Sequence, residues 1–173
     1  MSRLPESPRF GRLIDRSKPL DFTFDGKRLK GFAGDTLASA LLANNVSVVA
    51  RSFKYHRPRG ITGIGLEEPN GFVEIGQGAQ QLPSQHAVAV PLHQGLSARS
   101  QNAWPSVRFD LGGLLDHARP LLPAGFQYKT FKWPVKAWRF YESRVRRLGG
   151  IGRVPDGPDP DRFAQYMAEH QVD

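Results

Sequence analysis

The sequence LDFTFDGKRLKGFAGDTLASALLAN, residues 20–44, carries the strongest structural signals in the chain. Apolar and polar residues alternate over residues 20–24, which is typical of a strand with one buried face. The following pair, Asp25 and Gly26, tolerates the positive φ angles of a tight hairpin turn. We therefore predict that residues 28–32 form a second strand, antiparallel to the first.

A helix is predicted directly after this hairpin, over residues 36–44. Asp35 is a suitable N-cap, because its carboxylate can accept the free N–H groups of the first turn. Leu37, Ala40 and Leu41 follow at i, i+3 and i+4 and would pack against the sheet. Asn44 and Asn45 indicate where the helix stops.

Further strands are predicted at residues 46–50, 72–75 and 87–92, where the sequence is apolar and rich in β-branched residues. Between the last two, residues 76–86 (GQGAQQLPSQH) are predicted to form a polar loop. The order is hairpin, helix, long loop and hairpin. It predicts an α+β unit in which one helix crosses one mixed sheet.

The length of 173 residues suits a compact domain with an extension. We predict an N-terminal arm at 1–18, the domain at 19–98, an aromatic and basic extension at 99–150, and a linker and tail at 151–173. Within the extension, residues 134–148 are predicted to be helical. Pro134 suits a first helical position, and glycines follow the run.

The formal net charge is +8 and the pI is about 10.2, so an acidic partner is attracted at long range. Nucleic acid, an anionic cofactor, an anionic membrane surface and an acidic protein face all qualify. The chain has no cysteine, which excludes disulfides, thiolate nucleophiles and cysteine-held clusters. No secretory leader or bilayer-spanning run is evident, so a cytoplasmic location without membrane contact is expected.

A basic run precedes a glycine-rich stretch within residues 51–73, RSFKYHRPRGITGIGLEEPNGFV. It could contact a partner subunit or domain, bind a cofactor phosphate, or be held by ion pairs to Glu67 and Glu68. His56 is interpreted as a hydrogen-bonding residue, and neither a catalytic residue nor a metal site is predicted. The candidate contact residues are Arg51, Lys54, Tyr55, His56, Arg57 and Arg59.

Several short sequence segments resemble those of known families. The DG turn, GDTLASALL and RPRG resemble the ferredoxin-like β-grasp domain of amine- and opine-oxidising dehydrogenases. A longer series of phrases resembles the amino-terminal region of the alpha subunit of heterotetrameric sarcosine oxidase, in which this fold is kept without an iron–sulfur cluster. That series includes FTFDGKRLKGFAGDTLASALLANNV, RSFKYHRPRGI, ARSQNAWPS and LPAGFQYKTF.

The resemblance implies a lost cluster site. Plant-type clusters use the ligand spacing C-x4-C-x2-C and a distant fourth cysteine. The first three positions fall at Gly63, Glu68 and Gly71, and the fourth lies near Val88. The implied fold is thus a β-grasp domain lacking cluster cysteines, with a helical or extended C-terminal extension.

The resemblance also implies a function for the whole assembly, namely oxidative demethylation of sarcosine linked to tetrahydrofolate. It implies FAD, FMN, NAD and tetrahydrofolate there, and dinucleotide-binding and folate-binding domains and a beta subunit as partners. This chain has no strand followed by G-x-G-x-x-G, so we expect it to bind no cofactor alone and to be non-catalytic. The expected role is structural and subunit-organising. The alternatives are a basic nucleic-acid-binding module, or an orphaned fragment without activity.

Overall fold

The structure is a computed structural model that describes residues 3, 11–52 and 55–117. The predicted helix at 134–148 and the tail at 151–173 lie outside these residues. The strands are β1 (Asp15–Phe24), β2 (Lys27–Ala33), β3 (Val48–Arg51), β4 (Pro58–Gly60), β5 (Phe72–Ile75), β6 (Leu82–His86) and β7 (Ser97–Ser100). The helices are α1 (Leu37–Ala43) and α2 (Leu114–His117), with 3-10 turns at Gly78–Gln80 and Leu111–Gly113.

Five strands form one mixed sheet in the order β2-β1-β7-β5-β6. The β1–β7 pair is parallel, with Thr23 opposite Ser97, and it joins the first hairpin to the antiparallel β5–β6 hairpin. β3 and β4 form a separate antiparallel pair. A mixed sheet with few helices agrees with the predicted α+β class and is compatible with a β-grasp fold.

The first hairpin and the helix form where they were predicted. Asp25 and Gly26 have φ angles of 49° and 75°, as the turn requires. In α1, Leu37, Ala40 and Leu41 are fully buried and pack with Phe22 of β1 in the hydrophobic core. The stop is also confirmed, since Asn44 is the C-cap of the helix.

The helix lies close to β2, and this closeness depends on one glycine. A Cβ added to Gly31 would lie 2.3 Å from Leu92 Cδ2 and 3.2 Å from Ala40 Cβ. A side chain at this position would therefore require the Leu92 side chain to move and α1 to shift slightly at Ala40.

The predicted capping role of Asp35 is wrong. Thr36 is the N-cap, and its hydroxyl accepts the N–H of Ser39 at 3.2 Å, while the Ser39 hydroxyl accepts the N–H of Thr36 at 3.1 Å. This reciprocal arrangement is a capping box. The Asp35 carboxylate instead accepts the N–H of Phe32 at 2.9 Å and the hydroxyl of Ser39 at 2.7 Å.

The remaining bonds of Asp35 come from the predicted N-terminal arm. Arg3 donates to both carboxylate oxygens of Asp35, at 3.0 and 2.5 Å, and its guanidinium lies 5.1 Å from the centre of the Phe32 ring. β1 also begins inside the predicted arm, at Asp15. Residues of the predicted arm thus belong to the folded domain. Arg3 contacts Phe32 and Asp35, and the last residues of the arm form the start of β1.

The prediction of a strand over residues 87–92 is wrong. The strand is β6, within the predicted polar loop, and a turn follows it. Ala87 and Val90 close over the start of α1, because their carbonyls accept the N–H groups of Ala38 at 3.0 Å and Leu37 at 2.8 Å. The apolar alternation here indicates burial against a helix terminus rather than strand pairing.

β7 was not predicted at all, and it ends at Ser100, past the predicted domain boundary at residue 98. Within the described part of the chain, no helix is both long and apolar enough to cross a bilayer.

Candidate functional site

The basic loop, residues 51–59, connects the paired strands β3 and β4. The connection is held by two main-chain bonds, from Ser52 N–H to Arg57 O at 2.9 Å and from His56 N–H to Ser52 O at 3.0 Å. His56 takes a positive φ of 51° to complete the turn. Of the six candidate contact residues, Lys54 lies outside the described residues and the other five are brought together by this turn.

Arg51 ties the basic loop to the segment that follows the sheet. Its Nε and Nη2 donate to Val107 O at 3.0 and 2.5 Å, and its Nη1 donates to His56 O at 3.1 Å. The guanidinium therefore binds main-chain carbonyls of this chain. The predicted ion pairs to Glu67 and Glu68 are not what holds Arg51.

His56 forms a second tie, to Asp110. Its Nδ1 lies 2.7 Å from Asp110 Oδ2, and the two side chains are only 16% and 1% exposed. Asp110 also accepts the N–H groups of Trp104 at 3.0 Å and Gly112 at 3.2 Å. The imidazole lies against the backbone of Gly112, where a Cβ would come within 2.2 Å of Nδ1.

This pair orients an imidazole, as aspartate–histidine pairs do in many active sites. Among the residues that the structure describes, no group of three or more His, Cys, Asp or Glu side chains could hold a metal ion. The contacts around His56 agree with the hydrogen-bonding role expected from the sequence.

Replacing Asp110 with alanine should remove all three of these bonds at once. We expect a loss of about 1–3 kcal/mol in the free energy of unfolding, because the part-buried His56 ring and Gly112 N–H lose their acceptor. Amide exchange at Trp104 and Gly112 should accelerate, as measured by NMR. Asp21, which is exposed, offers the matched control. Unchanged exchange at both amides would contradict this role of Asp110.

The two arginines at the exposed side of the loop have different partners. Arg59 Nη1 donates to Asn70 Oδ1 at 2.8 Å, so Arg59 also binds a group other than the predicted glutamates. The Arg57 guanidinium lies 5.2 Å from the centre of the Tyr55 ring, within the range of a cation–π contact. Arg57 and Arg59 both remain exposed and present positive charge to solvent.

The segment held by Arg51 and His56 exposes large apolar side chains. Trp104 is 68% exposed, Phe109 67% and Leu114 69%. We call these three residues, with the neighbouring exposed Arg108, the apolar face. The sequence placed Trp104 in the aromatic and basic extension (99–150) and did not identify Val107 or Asp110 as partners of the basic loop. The one available signal was the acidic Asp110 immediately before a turn with two glycines, Gly112 and Gly113.

The glycine loop, residues 60–71, surrounds the side chain of Glu68, which is fully buried. Its carboxylate accepts the N–H of Thr62 at 2.6 Å, the N–H of Asn70 at 2.9 Å and the N–H of Gly63. The Thr62 hydroxyl lies 3.1 Å from the same carboxylate. By contrast, the neighbouring Glu67 is exposed and accepts a local bond from Gly65 N–H at 3.2 Å.

These bonds determine the ionisation of Glu68. Burial on its own raises the pKa of a carboxyl group, but the N–H groups of Asn70, Gly63 and Thr62 outweigh it and lower the pKa of Glu68 below its ordinary value. Glu68 is therefore a buried, ionised carboxylate at neutral pH.

The structure brings together the positions that the cluster spacing assigned to ligands. A Cβ at Gly63 would lie 3.0 Å from Glu68 Oε2, and a Cβ at Gly71 would lie 3.1 Å from Glu68 Cγ. The Ala87 N–H donates to Gly71 O at 2.9 Å, so the fourth position, Val88, follows a residue bonded to the loop. Val88 itself packs against the core.

These residues do not fit a [2Fe–2S] cluster. Cysteine thiolates are the usual ligands, and none is present at these positions or elsewhere in the chain. The space between the glycines is filled by the side chain of Glu68. In the folded loop, the side chain of Glu68 occupies the interior that lies between Gly63 and Gly71.

Comparison with known proteins gives a consistent picture. Residues 17–103 match the family described as the 2Fe-2S iron-sulfur cluster binding domain. Sarcosine oxidase subunit alpha from Rhizobium meliloti (strain 1021) is 51% identical over 157 residues, which are 90% of this chain and 16% of that protein. The subunit alpha from Corynebacterium sp. (strain P-1) is 41% identical over 99 residues, 56% of this chain and 10% of that protein.

A solved structure, L-proline dehydrogenase from P. horikoshii, matches at 25% identity and a TM-score of 0.40, over 50% of this chain and 16% of that one. The chain thus spans less than a fifth of the length of the relatives that it matches. The resemblance to the sarcosine oxidase alpha subunit is confirmed. By the match over residues 17–103, the chain belongs to the family of 2Fe-2S iron-sulfur cluster binding domains, although it has no cysteine.

Proposed function

We propose that this chain is a structural, subunit-organising part of a sarcosine oxidase-like oxidoreductase and is non-catalytic on its own. The proposal includes the β-grasp fold and the division into an arm (1–18), a domain (19–98), an extension (99–150) and a tail (151–173). It also includes a cytoplasmic location. The activity proposed for the whole assembly is oxidative demethylation of sarcosine, linked to tetrahydrofolate.

The apolar face is the observation that carries this role. Three large apolar side chains are about two-thirds exposed on a segment whose position is fixed by the Arg51 and His56 ties. Exposed aromatic side chains on a fixed backbone lose little conformational entropy on binding, and such residues often dominate interfaces. The exposed Arg108 of this face, together with the exposed Arg57 of the basic loop, favours a partner with acidic residues around an apolar centre.

The proposed partners are the remaining parts of the assembly, namely dinucleotide-binding and folate-binding domains and a beta subunit, in a heterotetramer. FAD, FMN, NAD and tetrahydrofolate would bind there rather than to this chain. The loops support this division. The guanidinium groups of Arg51 and Arg59 bind groups of this chain, and Glu68 fills the glycine loop.

Co-expression tests the proposal directly. The tagged chain should co-purify with the other sarcosine oxidase subunits of the same genome, and the complex should show flavin absorbance. A colourless chain without partners would overturn the proposal and favour an orphaned fragment. Binding of single-stranded oligonucleotides at low salt, without protein partners, would favour the nucleic-acid alternative instead.

The double variant Trp104→Ser, Phe109→Ser should weaken partner binding at least about tenfold, because both side chains lie on the proposed interface. Its thermal midpoint should stay close to that of the wild type, since both residues are exposed. Leu13, which is 88% exposed, provides the matched control as Leu13→Ser. Equal loss of affinity in the control and the double variant would contradict the assignment of the interface to this face. Affinity can be measured by calorimetry.

A further inference from the structure

The glycine loop directs several donors at one point in its interior. The N–H groups of Thr62, Gly63 and Asn70, together with the Thr62 hydroxyl, all reach the Glu68 carboxylate. Successive backbone N–H groups that converge in this way form a concave anion site, of the kind that holds phosphates and iron–sulfur clusters. The donors of the loop are therefore arranged for an anion, and the chain itself supplies one.

The glycines indicate how the anion fits. Ideal Cβ atoms at Gly63 and Gly71 would approach the Glu68 side chain to 3.0 and 3.1 Å, closer than ordinary van der Waals contact. A cysteine at either position would place a sulfur atom still further into this space. The carboxylate of Glu68 and cysteine ligands at these positions are thus mutually exclusive in the loop as it stands.

We infer that the glycine loop is an anion-binding loop in which the Glu68 carboxylate takes the place of an iron–sulfur cluster. A cluster with cysteine ligands is anionic, and its sulfur atoms accept hydrogen bonds. When such a cluster is lost, the N–H groups around it need another acceptor, because buried unpaired donors destabilise the fold. Glu68 provides that acceptor and a negative charge. This inference does not depend on which partner the chain binds.

It follows that the loop has a defined ligand class. With the Glu68 side chain truncated, the same donors should bind a small carboxylate from solution, such as formate or acetate. The test uses the full chain carrying Glu68→Ala, with Glu67→Ala as the matched control. Glu67 is adjacent and exposed, so its removal leaves the converging donors untouched.

Glu68→Ala should lower the thermal midpoint by about 5 °C or more, and Glu67→Ala should leave it within about 2 °C. Sodium formate or acetate should restore about half of the loss in Glu68→Ala, relative to sodium chloride at equal ionic strength. The same salts should have no such differential effect on the wild type or on Glu67→Ala. An equal response of all three proteins would overturn the inference.

Glu68→Gln provides a second test that keeps the side-chain volume. Glutamine has a single carbonyl oxygen and carries no charge, so it cannot accept all the converging donors. Amide exchange at Thr62, Gly63 and Asn70 should become at least about tenfold faster than in the wild type and in Glu67→Gln. Unchanged protection of these three amides would refute the role of the carboxylate. Because this test uses Glu68→Gln, it remains decisive even if Glu68→Ala does not fold.

Discussion

Replacing Asp35 with alanine is expected to lower the free energy of unfolding by about 3 kcal/mol, among the largest effects of any single change in the chain. The Asp35 side chain is fully buried, and its partner Arg3 is only 13% exposed. Truncation would leave the Phe32 N–H without its acceptor and the Arg3 guanidinium without its counter-charge. Urea unfolding followed by circular dichroism measures this loss.

A matched control distinguishes this buried pair from a surface pair. Asp15 forms an ion pair with Lys18 at 3.2 Å, but their side chains are 42% and 71% exposed. Asp15→Ala should therefore lower the free energy of unfolding far less than Asp35→Ala, as is typical of exposed pairs. Similar losses for Asp35→Ala and Asp15→Ala would show that Arg3 and Asp35 are not coupled in solution.

The Arg3–Asp35 pair also determines the direction in which stability changes with pH. Burial raises the pKa of Asp35, but hydrogen bonds from Arg3, Ser39 and Phe32 and the Arg3 charge outweigh it, so the pKa lies below its ordinary value. A carboxyl group with a lowered folded-state pKa stabilises the protein above its unfolded pKa, and this contribution is lost as pH falls through the folded value. Stability should thus begin to fall near pH 4, the ordinary pKa of aspartate, and continue to fall below it.

Asp35→Asn should reduce the slope of stability against pH below about pH 4 and leave the slope between about pH 5 and 7 unchanged. Glu68, whose pKa is also lowered, contributes to the slope that remains. If the curves of unfolding free energy against pH for the wild type and Asp35→Asn stay parallel down to pH 3, Asp35 does not have a lowered pKa in the folded state.

Phe22→Ala is expected to lower the free energy of unfolding by about 3–5 kcal/mol, since it leaves a cavity in the core. Phe22 is 1% exposed and lies on β1, between β2 and β7, where it packs with Leu37 and Leu41 of α1. The apolar side chain of Ile64 is 98% exposed, so Ile64→Ala should change stability by less than about 0.5 kcal/mol. Equal urea midpoints for the two variants would place Phe22 outside the core.

The first half of the domain could be predicted because its signals are local. The hairpin needs two residues that accept positive φ, and Asp25 and Gly26 provide them. The apolar stripe of α1 needs only helical spacing. The cap was misassigned because Asp35 and Thr36 are both good N-caps in sequence. In the structure Thr36 caps the helix together with Ser39, and Asp35 bonds to Arg3, which lies 32 residues away along the chain.

The second half depends on partners that lie far apart in sequence. Val88 and Val90 alternate with alanines as a strand would, yet this segment covers the start of α1. Residues 97–100, SARS, carry a weak apolar signal and become β7 because β1 and β5 lie on either side. Neither outcome can be read from local propensity, which is why β-structure is harder to locate from a single sequence.

The sequence identified the basic loop as a candidate site, but it did not identify the residues to which Arg51 and His56 bond. The basic loop was identified from charge and aromatic content, whereas the partners of Arg51 and His56 lie 56 and 54 residues away. Glu67 and Glu68 are indistinguishable as residue types. Only the folded loop shows that one is exposed and the other is enclosed by N–H groups.

The parallel pairing of β1 with β7 sets an order of events during synthesis. The amino-terminal hairpin and α1 leave the ribosome first, and β7, which lies between β1 and β5, leaves last of the five strands in this sheet as the described residues define it. Until then one edge of β1 has no strand beside it, and an open strand edge is a site of mispairing. β7 thus joins the two hairpins in the middle of the sheet. A nascent chain that ends before Ser100 therefore carries both hairpins without the strand that connects them.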